Sequence, residues 1–235
     1  MMAMPDGIRF YSVGGWTVIG IILLVCLVLV IIPLLFLGLV GAAFTRLGFS
    51  WIAAVAAVLL MLIGSAINIP VGKISREMIR IEHNEGVIPE GYEPWETVIA
   101  INLGGAVIPV AIACYLIYIS VHTTGTAIAL HLIVGVLIVA ALSFVSTRRV
   151  DGVGLKVPLF MPGLTALLCG ILLSGGIGLS AGMIAFVSGT FGTLIGANIA
   201  KLPRVRDLNV SEFGIGGAGT FGAVFISCIL SALIA

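Results

Sequence analysis

The chain has 235 residues, of which 60% are hydrophobic and 9% charged, against roughly 45–50% apolar and about 25% charged in a soluble domain. So little charge defines an integral membrane protein, read as a single domain over residues 1–235, with no polar block from which a separate soluble domain could be built. A net charge of +1 excludes nucleic-acid binding, which needs a concentrated basic surface.

Five runs free of Asp, Glu, Lys and Arg cover residues 10–45, 47–72, 97–147, 157–200 and 213–235. At about 20 residues per crossing they hold one, one, two, two and one spans. The two long runs each turn near the middle, at Ser120–Gly125 and at Gly175-Gly176. The expected fold is all-α, a polytopic transmembrane helix bundle with seven spans near 17–43, 52–71, 98–119, 126–145, 157–174, 177–199 and 214–234. This count places Arg9, Lys73, Arg76, Arg80, Arg148, Arg149, Lys156, Lys201, Arg204 and Arg206 on one side and Arg46 alone on the other. Basic residues favour the cytoplasmic side of short loops, so the N-terminus is expected inside and the C-terminus outside, in the cell (inner) membrane. Trp16, Trp51, Trp95 and Tyr118 fall at span ends, as interfacial aromatics do.

The first span is long for a bilayer and far longer than a signal-peptide core, and reads as an uncleaved anchor helix with Pro33 inside it. The second ends in SAINIP, placing Asn68 near the cytoplasmic face before Pro70. Between Lys73 and Glu96 lies the longest polar loop, in which Ile74, Met78 and Ile81 at helical spacing predict a short amphipathic surface helix. Glu82, His83 and Glu85 lack a second His or Cys and read as a solvated charge cluster, so no metal site is expected. The third span opens with AINLGGAVIP, in which Asn102 is followed by Gly104, Gly105 and Pro109. The fourth carries His131, the one ionisable side chain expected well inside the hydrocarbon, either a switch or a neutral hydrogen-bonding group.

Arg148, Arg149 and Lys156 in the next linker are suited to anionic lipid headgroups. The fifth and sixth spans form a hairpin around Gly175-Gly176. In the sixth, Gly178, Gly182, Ala185, Gly189, Gly192 and Gly196 recur every three or four residues, a small-residue face that admits close helix packing. Gly216, Thr220, Ala223, Ser227 and Ser231 repeat the pattern in the seventh, so these two helices are expected to be the most tightly packed pair. The sixth ends in IGANI, which sets Asn198 at nearly the depth of Asn68 and Asn102.

Unpaired amides are costly in lipid, so Asn68, Asn102 and Asn198, joined by Thr220, are the candidate polar cluster. They form either a solute site near the cytoplasmic mouth or interhelical glue. Enzymatic readings lack their residues, because no Asp or Glu lies inside any span. There is no H-E-x-x-H and no G-x-S-x-G. The GIGGAG at 214–219 is expected to follow no strand, lacks the lysine of a phosphate loop and opens a membrane helix. Cys26, Cys114, Cys169 and Cys228 all lie in apolar runs and read as packing residues. No cofactor is called for.

The motifs AINLGGAVIP, SGTFGTLIGANI and GIGGAGTFGAVF resemble those of an uncharacterised family of archaeal and bacterial polytopic membrane proteins, domain of unknown function 1614. The resemblance covers most of the chain in hydropathy and is specific in its last third. It implies aspartates at the positions matching Asn198 and Gly222, a pair similar in outline to those of intramembrane aspartyl proteases or ion-coupled carriers. Here both carboxylates are absent, and an amide cannot exchange a proton near neutral pH.

The expected function is therefore binding or transport of a small solute or ion at the asparagine cluster, with no enzymatic activity. The alternatives are a non-catalytic scaffold or subunit and an inactive relative of a two-aspartate hydrolase. The bilayer and anionic headgroups are the expected partners, with a homo- or hetero-oligomer left open.

Overall fold

A computed structural model describes residues 15–75, 96–150, 154–207 and 210–235. Two compact units divide the chain, Met1–Leu39 and Val40–Ala235. The first contributes the greater part of helix α1 (Gly15–Arg46). From Val18 to Leu35 its side chains are exposed around the whole circumference, leucine, isoleucine and valine alike. A helix apolar on every side suits lipid rather than water.

The second unit holds six further helices, α2 (Trp51–Gly64), α3 (Ile108–Thr124), α4 (Ile128–Ser146), α5 (Met161–Ser174), α6 (Leu179–Thr193) and α7 (Phe221–Leu233). Its centre is α6, packed against α3, α4, α5 and α7 and buried without interruption from Ala181 to Thr190. The glycines of α6 do not form a seam with one partner. A methyl group added at Gly189 would come 2.8 Å from Ser227 Cβ on α7 and 3.2 Å from Ala166 Cβ on α5. One at Gly192 would come 2.6 Å from Val139 Cβ on α4, and one at Gly196 would strike the carbonyl of Ala140. Gly182 faces Ala235 and Leu47, while Gly178 caps the helix at φ 146°, a conformation that favours glycine. The most extensive neighbour of α6 is α5, followed by α4, so the expectation that α6 and α7 pack most tightly is corrected. The small residues share one face, but that face meets different partners along its length.

The two ends of the unit differ. At one, connections are short: Arg46 donates to the carbonyl of Leu233, and the amide of Gly178 in the α5–α6 turn donates to Ile234. At the other lie, among the described residues, five strands that counting apolar runs did not anticipate, and one of them, Glu212–Ile215, leads into the 214–219 segment expected to follow no strand. Strands β1 (Asn68–Ser75) and β2 (Glu96–Asn102) pair antiparallel, and β5 (Glu212–Ile215) adds to β2 in parallel, giving the order β1-β2-β5. The hairpin β3 (Arg148–Val150) and β4 (Gly154–Lys156) joins α4 to α5.

These strands correct four helix boundaries. The spans expected at 52–71, 98–119, 157–174 and 214–234 are helical only from 51 to 64, from 103, from 161 and from 221. The physical cause is alternative pairing of the backbone: in ETVIAIN the β-branched residues favour an extended chain, and a strand on each side of β2 satisfies its amides. The amphipathic helix expected from Ile74 is replaced at its start by β1, while Met78 and Ile81 lie outside the described residues. Glu82, His83, Glu85 and Trp95 also lie outside them.

Gly196→Ala is expected to lower the unfolding midpoint in detergent by the equivalent of about 1–3 kcal/mol, because the methyl meets backbone and not a movable side chain. Gly38→Ala, where nothing lies within 4 Å of the added atom, should leave it unchanged.

Candidate functional site

The strand-bearing end is where the candidate amides lie. Three chain segments break there: α2 gives way to β1, β2 runs into α3, and β5 turns into α7. Each break frees amides and carbonyls that a continuous helix would have paired. Asn68 and Asn102 are partners in the β1–β2 register, facing each other at the end of the ladder.

Asn102 commits both donors and its acceptor oxygen to this junction. Its Nδ2 donates to the carbonyl of Ser65, at 2.7 Å, and to Asn68 Oδ1, at 2.8 Å. Its Oδ1 accepts the amide of Gly105, at 2.7 Å, capping the first turn of the helix that follows. That turn, Leu103–Val107, is wound as a π-helix before α3 proper begins. The residue is 1% exposed, whereas Asn68 lies at the surface.

Glycine is required beside it for lack of room. A methyl at Gly104 would strike the carbonyl of Met61, and one at Gly105 would strike that of Gly216. Gly216 itself stands at φ 73°, and its amide donates to Asn198 Oδ1 at 3.3 Å. Asn198 ends a second π turn, Leu194–Asn198, which closes α6 and passes into a 3₁₀ helix, Ile199–Asp207. The junction thus runs from Asn68 through Asn102 and the Gly105–Gly216 contact to Asn198, tying α2, α3, α7 and α6 together.

Thr220 is buried near this line but does not join the amides: its hydroxyl donates to the carbonyl of Gly217 within the turn that opens α7. His131 is not part of the site. It lies half-buried in the first turn of α4, at the short-loop end of the unit. Gly222 opens α7, where a methyl would come 2.7 Å from Leu159 Cδ1. Ala197 and Ala223, the neighbours of Asn198 and Gly222, pack in one buried cluster with Val157.

Farther out on the sheet, exposed Lys73 donates to Glu96 at 2.8 Å, and this hydrogen bond raises the lysine's pKa above its ordinary value. No group of three or more His, Cys, Asp and Glu suited to a metal occurs among the described residues. The sequence reading missed the sheet and the part played by Gly105. Alternation in ETVIAIN was the available signal for β2, and the glycine pair following Asn102 the signal for a close backbone approach.

Among the described residues four helices are long and apolar enough to cross a bilayer, including Val18–Arg46 and Leu179–Val205, which marks the class as an α-helical membrane protein. The chain belongs to the family described as Protein of unknown function (DUF1614), whose model matches residues 62–234. No curated protein and no solved structure matches it.

Asn102→Ala is expected to cost about 1–3 kcal/mol of stability, since it strands a buried amide and a carbonyl. Asn68→Ala, at an exposed position, should cost less than about 1 kcal/mol. Thermal unfolding of both variants in one detergent checks the order.

Proposed function

We propose that the chain is a seven-span protein of the cytoplasmic membrane, with its N-terminus inside and its C-terminus outside, that acts without catalysis as a membrane scaffold or subunit. The topology reading is supported by the separation of charge along the fold. Lys73, Arg148, Arg149, Lys156, Lys201 and Arg204 belong to the strand-bearing end and Arg46 to the other, which matches a cytoplasmic strand-bearing face. The helices α2, α5 and α7 have 14, 14 and 13 residues. At 1.5 Å per residue each covers about 20 Å, less than the roughly 30 Å hydrocarbon core. Extended segments adjoining them make up the difference where their backbone is paired.

The observation that carries the scaffold reading is the engagement of Asn102: both amide hydrogens and one lone pair of the carbonyl oxygen are taken up by Ser65, Asn68 and Gly105 of the same chain. An amide so engaged holds helices in place and has no donor left with which to grip a solute.

A second reading, passage of a small solute or ion through the same cluster, is favoured by one feature. The π turns at Leu103–Val107 and Leu194–Asn198 open one apolar helix and close another at this spot, and π turns are frequent at functional sites. Reconstitution into vesicles with a broad flux screen separates the two readings. The scaffold reading expects no protein-dependent flux from the parent, together with lowered thermal stability in Asn102→Ala and Asn198→Ala. A flux present in the parent and lost in both variants, with their midpoints unchanged, would overturn it.

A further inference from the structure

Below the asparagine junction, the 3₁₀ helix that follows α6 brings two cations onto one aromatic ring. Lys201 Nζ lies 4.9 Å from the centroid of Phe144, and the guanidinium carbon of Arg204 lies 5.5 Å from it. Lys201 is 6% exposed, and its ammonium donates to the carbonyl of Thr147 at 2.9 Å. Arg204 is exposed beside it. Among the described residues the one ion pair is Lys73–Glu96, so neither of these cations has a carboxylate within reach there. An aromatic face attracts each cation, but it does not cancel their mutual repulsion.

The carbonyl end of α4 accounts for a single cation beside Thr147. It does not account for the second cation on the ring. An anion between Lys201 and Arg204 would, taking charge-assisted hydrogen bonds from both.

We infer that Lys201 and Arg204, held together on Phe144, form a binding site for the phosphate of an anionic lipid headgroup. The inference rests on the membrane-spanning reading, in which this end of α4 meets the headgroup layer. Basic recesses between helices at that level bind phosphate-bearing headgroups, and a guanidinium matches phosphate in a two-point contact. Exposed Arg148, next in the chain to Thr147, adds attraction at the rim.

Full-length protein in nanodiscs of phosphatidylcholine, with or without phosphatidylglycerol, provides the test. Resistance of the protein to carbonate extraction from membranes is measured first, and its release would overturn both the spanning reading and this one. Phosphatidylglycerol is expected to raise the unfolding midpoint and to remain bound in native mass spectrometry after detergent extraction. Arg204→Gln and Lys201→Gln should each reduce the retained lipid about fivefold, while Lys73→Gln, on an exposed cation of the sheet, should not. Arg204→Gln decides the matter if Lys201→Gln fails to fold. Equal midpoints in the two lipids, or an equal loss in Lys73→Gln, sinks the proposal. Inorganic phosphate added to phosphatidylcholine nanodiscs should have no effect; a rise matching that of phosphatidylglycerol would reassign the site to free phosphate and overturn the lipid.

Discussion

Backbone groups in an apolar surrounding must find partners within the protein, and the unit Val40–Ala235 is built around the places where helices stop providing them. Around the asparagines three chain segments change from helix to strand, or from strand to helix. Every such change releases donors and acceptors whose burial without partners would be costly. The β1-β2-β5 sheet takes most of them. Asn102 takes the remainder at the point where ladder becomes helix, bonding to Ser65, Asn68 and Gly105. Short extended segments can then stand where a continuous helix would otherwise be obligatory.

The glycines serve this arrangement in two distinct ways. In α6 they reduce the girth of a helix that has neighbours on every side, so that α4, α5 and α7 can all approach it. At Gly104, Gly105 and Gly216 they let backbone meet backbone where no side chain fits. The first use is ordinary close packing. The second brings Asn198 within reach of Gly216 and so links the end of α6 to the start of α7.

Polar chemistry in this protein is concentrated at one end and follows the chain reversals. The amides, the exposed Lys73–Glu96 pair and the two cations on Phe144 all belong to connections made on the strand-bearing side. The opposite side has short turns, with Arg46 and Gly178 bonded to carbonyls near the C-terminus. His131 lies on the side away from the amides and so takes no part in their network.

Apolar run length and charge spacing determined the class and the seven helices, because a hydrophobic stretch of a given length needs no knowledge of its neighbours to be recognised. The same reasoning brought Asn68, Asn102 and Asn198 to one level, since depth follows from distance to the end of a run. Only the tertiary structure decided what those residues do there. Whether ETVIAIN is the first turns of a helix or a strand depends on β1 and β5, which lie far from it in sequence. Whether Thr220 reaches the amides depends on the hydroxyl's choice of Gly217. The distribution of the α6 glycines over several partners depends on how many helices surround α6. Periodicity marks a face for packing, but the partner it meets is fixed by long-range contacts that no local pattern records.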